Sequence, residues 1–233
     1  MQPFFTWNNV DSRSMGLVVT SYPPIIRPPE RVIQQTIPGR PGSVTLTEGK
    51  DVYDGYIKSF VIGVRPYAPT QPIINWLRGE GRAVFGNEPD FAYTGRIISA
   101  VQFDKVGQWI MKSAGVQLLV HPFKSRAVTE PPLSVTGSST SIYNPGDVGA
   151  SPLVRLSYTG NVDISVGETT MSLKAAPGVL LIDCEAGIIT TQDGALWQGS
   201  WTGDFLKIPA GVSTLTLSKA AAQLTITPRW RWL

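Results

Sequence analysis

The sequence predicts a mainly β protein of two domains with one short helix, and three observations carry that expectation. Apolar and polar residues alternate over short runs along the chain, the period of a strand with one covered face. Turn formers punctuate those runs: 23 Gly and 19 Pro are spread through 233 residues rather than gathered in a disordered tail. The alternation lapses once, over 129–143, where Pro, Ser, Thr, Gly and Asn accumulate. The expected organisation is a first domain over 1–128, a linker over 129–143 and a second domain over 144–233.

In the first half, residues 43–47 put Val44 and Leu46 on one face. Residues 56–64 carry Tyr56, Lys58, Phe60, Ile62 and Val64 at even spacing, and 95–103 set Ile97, Ser99, Val101 and Phe103 opposite Arg96, Ile98, Ala100 and Gln102. Residues 108–120 form a further long strand or pair, which His121-Pro122-Phe123 closes. One segment has helical spacing. Thr70 can cap it, Pro72 falls in its first turn, Ile73, Ile74 and Leu77 share a face, and Gly79 and Gly81 end it. So short a helix covers a sheet face rather than forming a domain. In the second half, strands are expected at 153–158, 162–166, 171–174, 179–184, 188–191, 215–218 and 224–228, the cadence of an all-β sandwich.

Composition narrows the function. Charged residues are 16% of the chain, against roughly 25% in soluble domains; a subunit buried in an assembly tolerates that. The net charge of +3 is diffuse, with no dense Lys/Arg run, which argues against sequence-specific nucleic-acid binding. One cysteine, Cys184, excludes an intrachain disulfide framework and a Cys-based zinc site. It shares an inward face with Ile182, opposite Asp183 and Glu185, as a small buried apolar residue does. The N-terminus has no basic region followed by an apolar stretch, and no apolar run approaches the ~18 residues of a membrane span. The expectation is a protein made in a cytoplasm without a signal peptide and without membrane insertion.

Residues for catalysis are few. The single histidine, His121, precedes a proline at a strand end, and neither it nor Cys184 has a nucleophile turn nearby. Paired carboxylates are available in principle among Glu48, Asp51, Asp54, Glu80, Glu88, Asp90 and Asp104, all in turn-like or alternating contexts where solvated carboxylates are expected. No phosphate loop, dinucleotide fingerprint or metal-ligand spacing occurs, so no catalytic residue, cofactor or metal is assigned. Trp197 and Trp201 are candidate glycan contacts, because a loop tryptophan beside polar groups can stack on a sugar ring; the alternative is that both cover the second core. Trp230 and Trp232 alternate with Arg229 and Arg231, which places tryptophan inward on a terminal strand. The turn Ile37-Pro38-Gly39-Arg40-Pro41-Gly42 is stiffened by its prolines and puts Arg40 at its tip, a candidate subunit-interface residue whose other reading is an ordinary solvated hairpin arginine.

The order of these features resembles the distal tail protein family of tailed phages with long non-contractile tails. Phe5-Thr6-Trp7-Asn8, Asp11 and Met15-Gly16-Leu17-Val18-Val19 are similar to that family's opening. Residues 37–42 resemble its Ile-Pro-Gly-Arg-Asp-Gly turn, with Pro41 in the acidic position. Tyr53-Asp54, Trp76-Leu77, Gly79-Glu80-Gly81, Glu88-Pro89-Asp90, Tyr93 and Pro122-Phe123 follow in the family's order. In the second half, Asn144-Pro145-Gly146, Ile182-Asp183, 206–211 and 228–231 resemble a galectin-like sandwich, with Val212 where an Asn is usual.

The resemblance implies an N-terminal β-sandwich with one helix, forming a homohexameric ring between the tail tube protein and the tail-associated baseplate hub protein. It also implies a C-terminal galectin-like β-sandwich projecting from that ring, location in the virion at the tail tip, an open channel for DNA passage, and no active site. The competing reading is a carbohydrate-binding module that contacts a host cell-surface glycan.

Overall fold

The computed structural model describes residues 3–47, 49, 51–64, 68–105 and 112–233. The described residues are mainly β with one α-helix, and the chain divides into two compact units, Met1–Val128 and Thr129–Trp232.

The first unit contains β1 (Phe5–Trp7), β2 (Val10–Asp11), β3 (Leu17–Ser21), β4 (Val32–Thr36), β5 (Ser43–Thr47) and β6 (Tyr56–Val64). After these come α1 (Thr70–Trp76), β7 (Glu80–Phe85), β8 (Phe91–Ile97), β9 (Asp104–Lys105) and β10 (Lys112–Arg126). Eight of these strands form one antiparallel sheet in the order β2-β1-β7-β8-β10-β6-β3, with β9 beside β10. The covered face carries the alternation seen in the sequence: Phe60, Ile62 and Val64 on β6, and Ala114, Val116, Leu118 and Val120 on β10, are all buried. At its centre Phe5, Phe60 and Phe85 meet ring to ring at 5.0 to 6.3 Å. The helix closes this core with Ile73 and Leu77, and Trp76 Nε1 donates to the Trp7 carbonyl at 3.2 Å.

Two details differ from expectation. The helix N-cap is Pro69 and has no side-chain cap bond, whereas Thr70 is already helical; the preset φ of proline starts the helix instead of a hydroxyl. His121-Pro122-Phe123 does not end a strand. Strand β10 continues to Arg126, and its pairing with β8 shifts register between Val120 and Lys124, so the proline sits in a bulge, where a missing N–H is tolerated. Part of the strand expected at 108–120 lies outside the described residues.

The second unit contains β11 (Leu133–Thr136), β12 (Ser139–Asn144), β13 (Leu153–Val166), β14 (Thr169–Asp183), β15 (Ile188–Thr191), β16 (Trp201–Gly203), β17 (Gly211–Leu217) and β18 (Gln223–Thr227). Its path runs β11-β18-β13-β14-β15, with β12 on β17, β17 also on β13, and β16 on β14. The stretch read as a linker therefore holds two paired strands. Leu133-Ser134-Val135-Thr136 pairs with β18 along its length, with Val135 buried and Ser134 exposed, as a strand with one covered face requires. Four expected strands also merge into one long hairpin, with 153–158 and 162–166 inside β13, and 171–174 and 179–184 largely inside β14. The irregularity at Gly160 bends this hairpin without ending it. Asn144 pins the entry to this unit: buried, it donates to the carbonyls of Val148 and Ile208 and accepts from the Gly146 amide at 2.8 Å.

Candidate functional site

The described residues of 22–54 in the first unit form an arm. It leaves β3 through Pro23 and Pro24, runs without secondary structure to Glu30, and turns through β4 and β5. It closes on itself at its base. Glu30 bridges Tyr53, the Arg31 amide donates to Val52 and the Asp54 amide to Pro29, both at 3.0 Å, and Arg31 Nε meets Asp54 Oδ1 at 2.7 Å. Among the described residues, strands β4 and β5 pair only with each other, a two-stranded sheet separate from the main one.

The register sorts the side chains of this hairpin. Ile33 lies opposite Leu46, and Gln35 opposite Val44, so one face is largely aliphatic; the other carries Val32, Gln34, Thr36, Ser43, Thr45 and Thr47. None of the ten strand residues is charged. Ile33 and Leu46 are each 48% exposed, and Ile25, Ile26, Val32 and Ile37 are exposed as well. An isolated hairpin is marginal in water, and this one leaves Ile33 and Leu46 about half exposed on its aliphatic face.

The structure puts Arg40 at the tip of this arm. Its amide donates to the Ile37 carbonyl at 3.2 Å, and Gly39 and Gly42 take the left-handed conformation, with φ of 78° and 84°. The Arg40 side chain is exposed and free of any hydrogen bond or ion pair with a described residue.

In the second unit, Trp197 and Trp201 differ. Trp197 is half-buried, its amide held by Ile189, and its ring leaves no room for a Cβ at Gly199. Trp201, on β16, is 37% exposed, with its ring 4.8 Å from that of Phe205. Leu196 and Ile188 are exposed on the same part of the chain. Trp230 and Trp232 are buried, as the alternation requires, but they flank an isolated bridge from Arg231 to Val148 rather than lying in a regular strand. Their arginine neighbours meet carboxylates: Arg229 grips Asp183 through two bonds of 2.7 and 2.9 Å, and Arg231 reaches Glu185 at 2.7 Å.

His121 is exposed and Cys184 buried; burial pushes the Cys184 thiol up to about 11, away from nucleophilic use. Among the carboxylates, Asp54 pairs with Arg31 and Glu80 with Arg96, while Glu48 lies outside the described residues. Glu88 corrects the reading of a solvated carboxylate: it is buried beside Lys58. Sequence reasoning missed this pair, although the signal was present, since Lys58 stands in the otherwise apolar inward row of 56–64.

No family model matches the chain, and no curated protein matches it. Solved structures do. The chain is similar to the SPP1 Dit (gp 19.1) protein, described as a paradigm of the hub adsorption apparatus in phages infecting Gram-positive bacteria, at a TM-score of 0.75 and 15% identity, with 100% of both chains covered. It is also similar to chains of the phage P2 baseplate in its activated conformation with Ca and with Sr, at TM-scores of 0.45 and 0.43, 11% and 10% identity, and 97% coverage of both chains in each case. Along its whole length, this chain has the fold of the SPP1 Dit protein.

Proposed function

We propose that this chain is a structural virion protein of a phage tail, a distal tail protein whose first unit closes into a ring of six copies joining the tail tube to the baseplate or tail tip. The observation that carries the reading is the likeness to SPP1 Dit over all of both chains. The arm supplies a physical means: a hairpin with uncharged, partly aliphatic strands seated on the next copy makes a head-to-tail contact, and such contacts close into a ring when their rotation returns on itself. The partners are then further copies of the chain, the tail tube protein and the tail-associated baseplate hub protein. The work is done by fixed interfaces, with no reaction and no cofactor, and the place is the virion tail tip after synthesis in the bacterial cytoplasm. Native mass measurement of the concentrated protein should give about 152 kDa, six copies of a 25.3 kDa chain. Images of assembled tail tips should show six-fold density for this subunit; a three-fold spike there overturns the ring.

A second reading, favoured by the exposed Trp201 ring, is that the second unit, as a galectin-like sandwich, also holds a host glycan. Trp201→Ala should then weaken binding by about 1 to 3 kcal/mol, the range for a lost aromatic stack, and Trp197→Ala less. A glycan array that stays blank for the intact protein removes this reading and leaves the structural one.

A further inference from the structure

The inward row of β6 is interrupted by a cation. Lys58, between Tyr56 and Phe60, has no exposed surface, and burying an ammonium without partners is costly. Its Nζ lies 3.5 Å from Glu88 Oε2 and 4.2 Å over the Tyr93 ring. Glu88, 8% exposed, takes the Tyr93 hydroxyl on the same oxygen at 2.6 Å and Lys124 Nζ on the other at 3.4 Å. Burial pushes the Glu88 carboxyl up, but the Tyr93 hydroxyl and the two ammonium groups more than offset this and hold it below the usual glutamate range. Two buried or nearly buried cations thus share one anion, and losing that anion would leave both uncompensated.

Lys58 has one more acceptor. Its Nζ donates to the Pro24 carbonyl at 3.1 Å. Next to this, Asn87, the residue before Glu88, donates through Nδ2 to the Pro23 carbonyl at 3.2 Å. Pro23 and Pro24 are the root of the arm, and neither has an N–H with which to join a sheet, so their carbonyls are the available handles. Immediately beyond, Ile25 and Ile26 are exposed.

We propose that Lys58, Glu88 and Lys124 form a latch at the root of the arm: Glu88 holds the Lys58 ammonium in place, and Lys58 and Asn87 together clamp the Pro23 and Pro24 carbonyls, setting the direction in which the arm leaves the sheet. Glu88 and Lys124 are positioning residues that act through Lys58. An apolar pair of equal volume would fill this part of the core as well, but it could not hold a carbonyl.

The test uses the isolated chain, so its outcome is independent of ring formation. Thermolysin cuts ahead of accessible aliphatic residues, and its rate at Ile25 and Ile26 reports local opening of the root. Lys58→Met and Glu88→Gln should each raise that rate on the order of tenfold, while amide exchange in β1 and β7 stays close to that of the parent. Asn87→Ala alters an exposed side chain, leaves the core intact, and should raise cleavage at the same place by a smaller factor. Should Lys58→Met fail to fold, Glu88→Gln and Asn87→Ala decide. Unchanged cleavage at 25–26 in the folded variants overturns the latch. Equal loosening of the root, β1 and β7 also overturns it, and makes the cluster an ordinary part of the core.

Discussion

The β4–β5 and β13–β14 hairpins are both antiparallel and both alternate apolar with polar residues, yet only one of them is covered. Along β13 and β14, Val154, Leu156, Val162, Ile164, Val166, Met171 and Leu173 are all buried, and β17, β18 and β15 flank the pair. Along β4 and β5, Ile33 and Leu46 face each other in register and stay exposed, with no third strand beside them among the described residues. The backbone chemistry is the same. What differs is whether the surface that completes the aliphatic face lies in the same chain. A covered hairpin contributes to the stability of the subunit. An uncovered one contributes almost nothing until something binds it, so the two should respond oppositely to mutation.

The largest expected effect is in the covered hairpin. Leu156→Ala removes a fully buried side chain from β13 and should destabilise the second unit by about 2 to 5 kcal/mol, read from urea unfolding. Ile33→Ala on the arm should change monomer stability by no more than about 0.5 kcal/mol. A loss at Ile33 as large as that at Leu156 would break the comparison, because it would mean that the arm packs on its own chain.

The converse experiment removes the aliphatic face altogether. The double variant Ile33→Ser, Leu46→Ser should keep the circular dichroism and unfolding midpoint of the parent while losing the high-mass species in sedimentation. Retention of that species would move the subunit contact elsewhere on the molecule.

This contrast also marks how much could be read from the sequence. The mainly β class, the short helix around Ile73, and the even-spaced row of β6 were legible because period-2 and helical spacing are local. The strands at 133–136 and 139–144 were not, because Ser and Thr suit both a loop and the outer face of a sheet, and only pairing with β18 and β17 decides. The position of Arg40 at a turn was legible from its glycines and prolines, but the exposure of the whole arm was not, since alternation carries no information about a covering surface. The pairing of Lys58 was not legible for a related reason. A single lysine in an apolar row reads as an edge or an error until Glu88, 30 residues away in sequence, is found beside it.

A smaller effect separates the charge pairs of the two regions. Arg229 holds the Asp183 carboxyl at about 2, with partial burial opposing and the amides of Ala186 and Glu185 assisting. The folded value lies below the ordinary 3.8, so the stability it contributes is fully present above about pH 4 and is lost as pH falls through about 2. The urea midpoint of Arg229→Met should therefore differ from that of the parent at pH 5 and converge with it towards pH 2; a constant difference would assign the effect to packing of the arginine stem. At the base of the arm, Arg31 and Asp54 meet at 2.7 Å but are roughly half exposed. Arg31→Ala should cost about 0 to 1 kcal/mol, as exposed pairs do.

The smallest effect on the folded subunit is expected at the arm's tip. Arg40 is exposed and bonds to no described side chain, so Arg40→Glu removes no contact within the subunit. The turn itself is set by Gly39 and Gly42 and by the Arg40 amide, all of which the substitution keeps. Monomer stability should shift by no more than about 0.5 kcal/mol. If the guanidinium meets a carboxylate or carbonyl of the next copy, the reversed charge replaces an attraction by a repulsion, and the protein concentration needed for the ring should rise on the order of tenfold. The effect should shrink in high salt, because a rim charge is screened within roughly 10 Å at 0.1 M. The aliphatic contacts of Ile33 and Leu46 are not screened in this way, so a salt series separates the two contributions to one interface. A ring that forms at the parent's concentration at every ionic strength removes Arg40 from the contact and leaves the hairpin face to carry it alone.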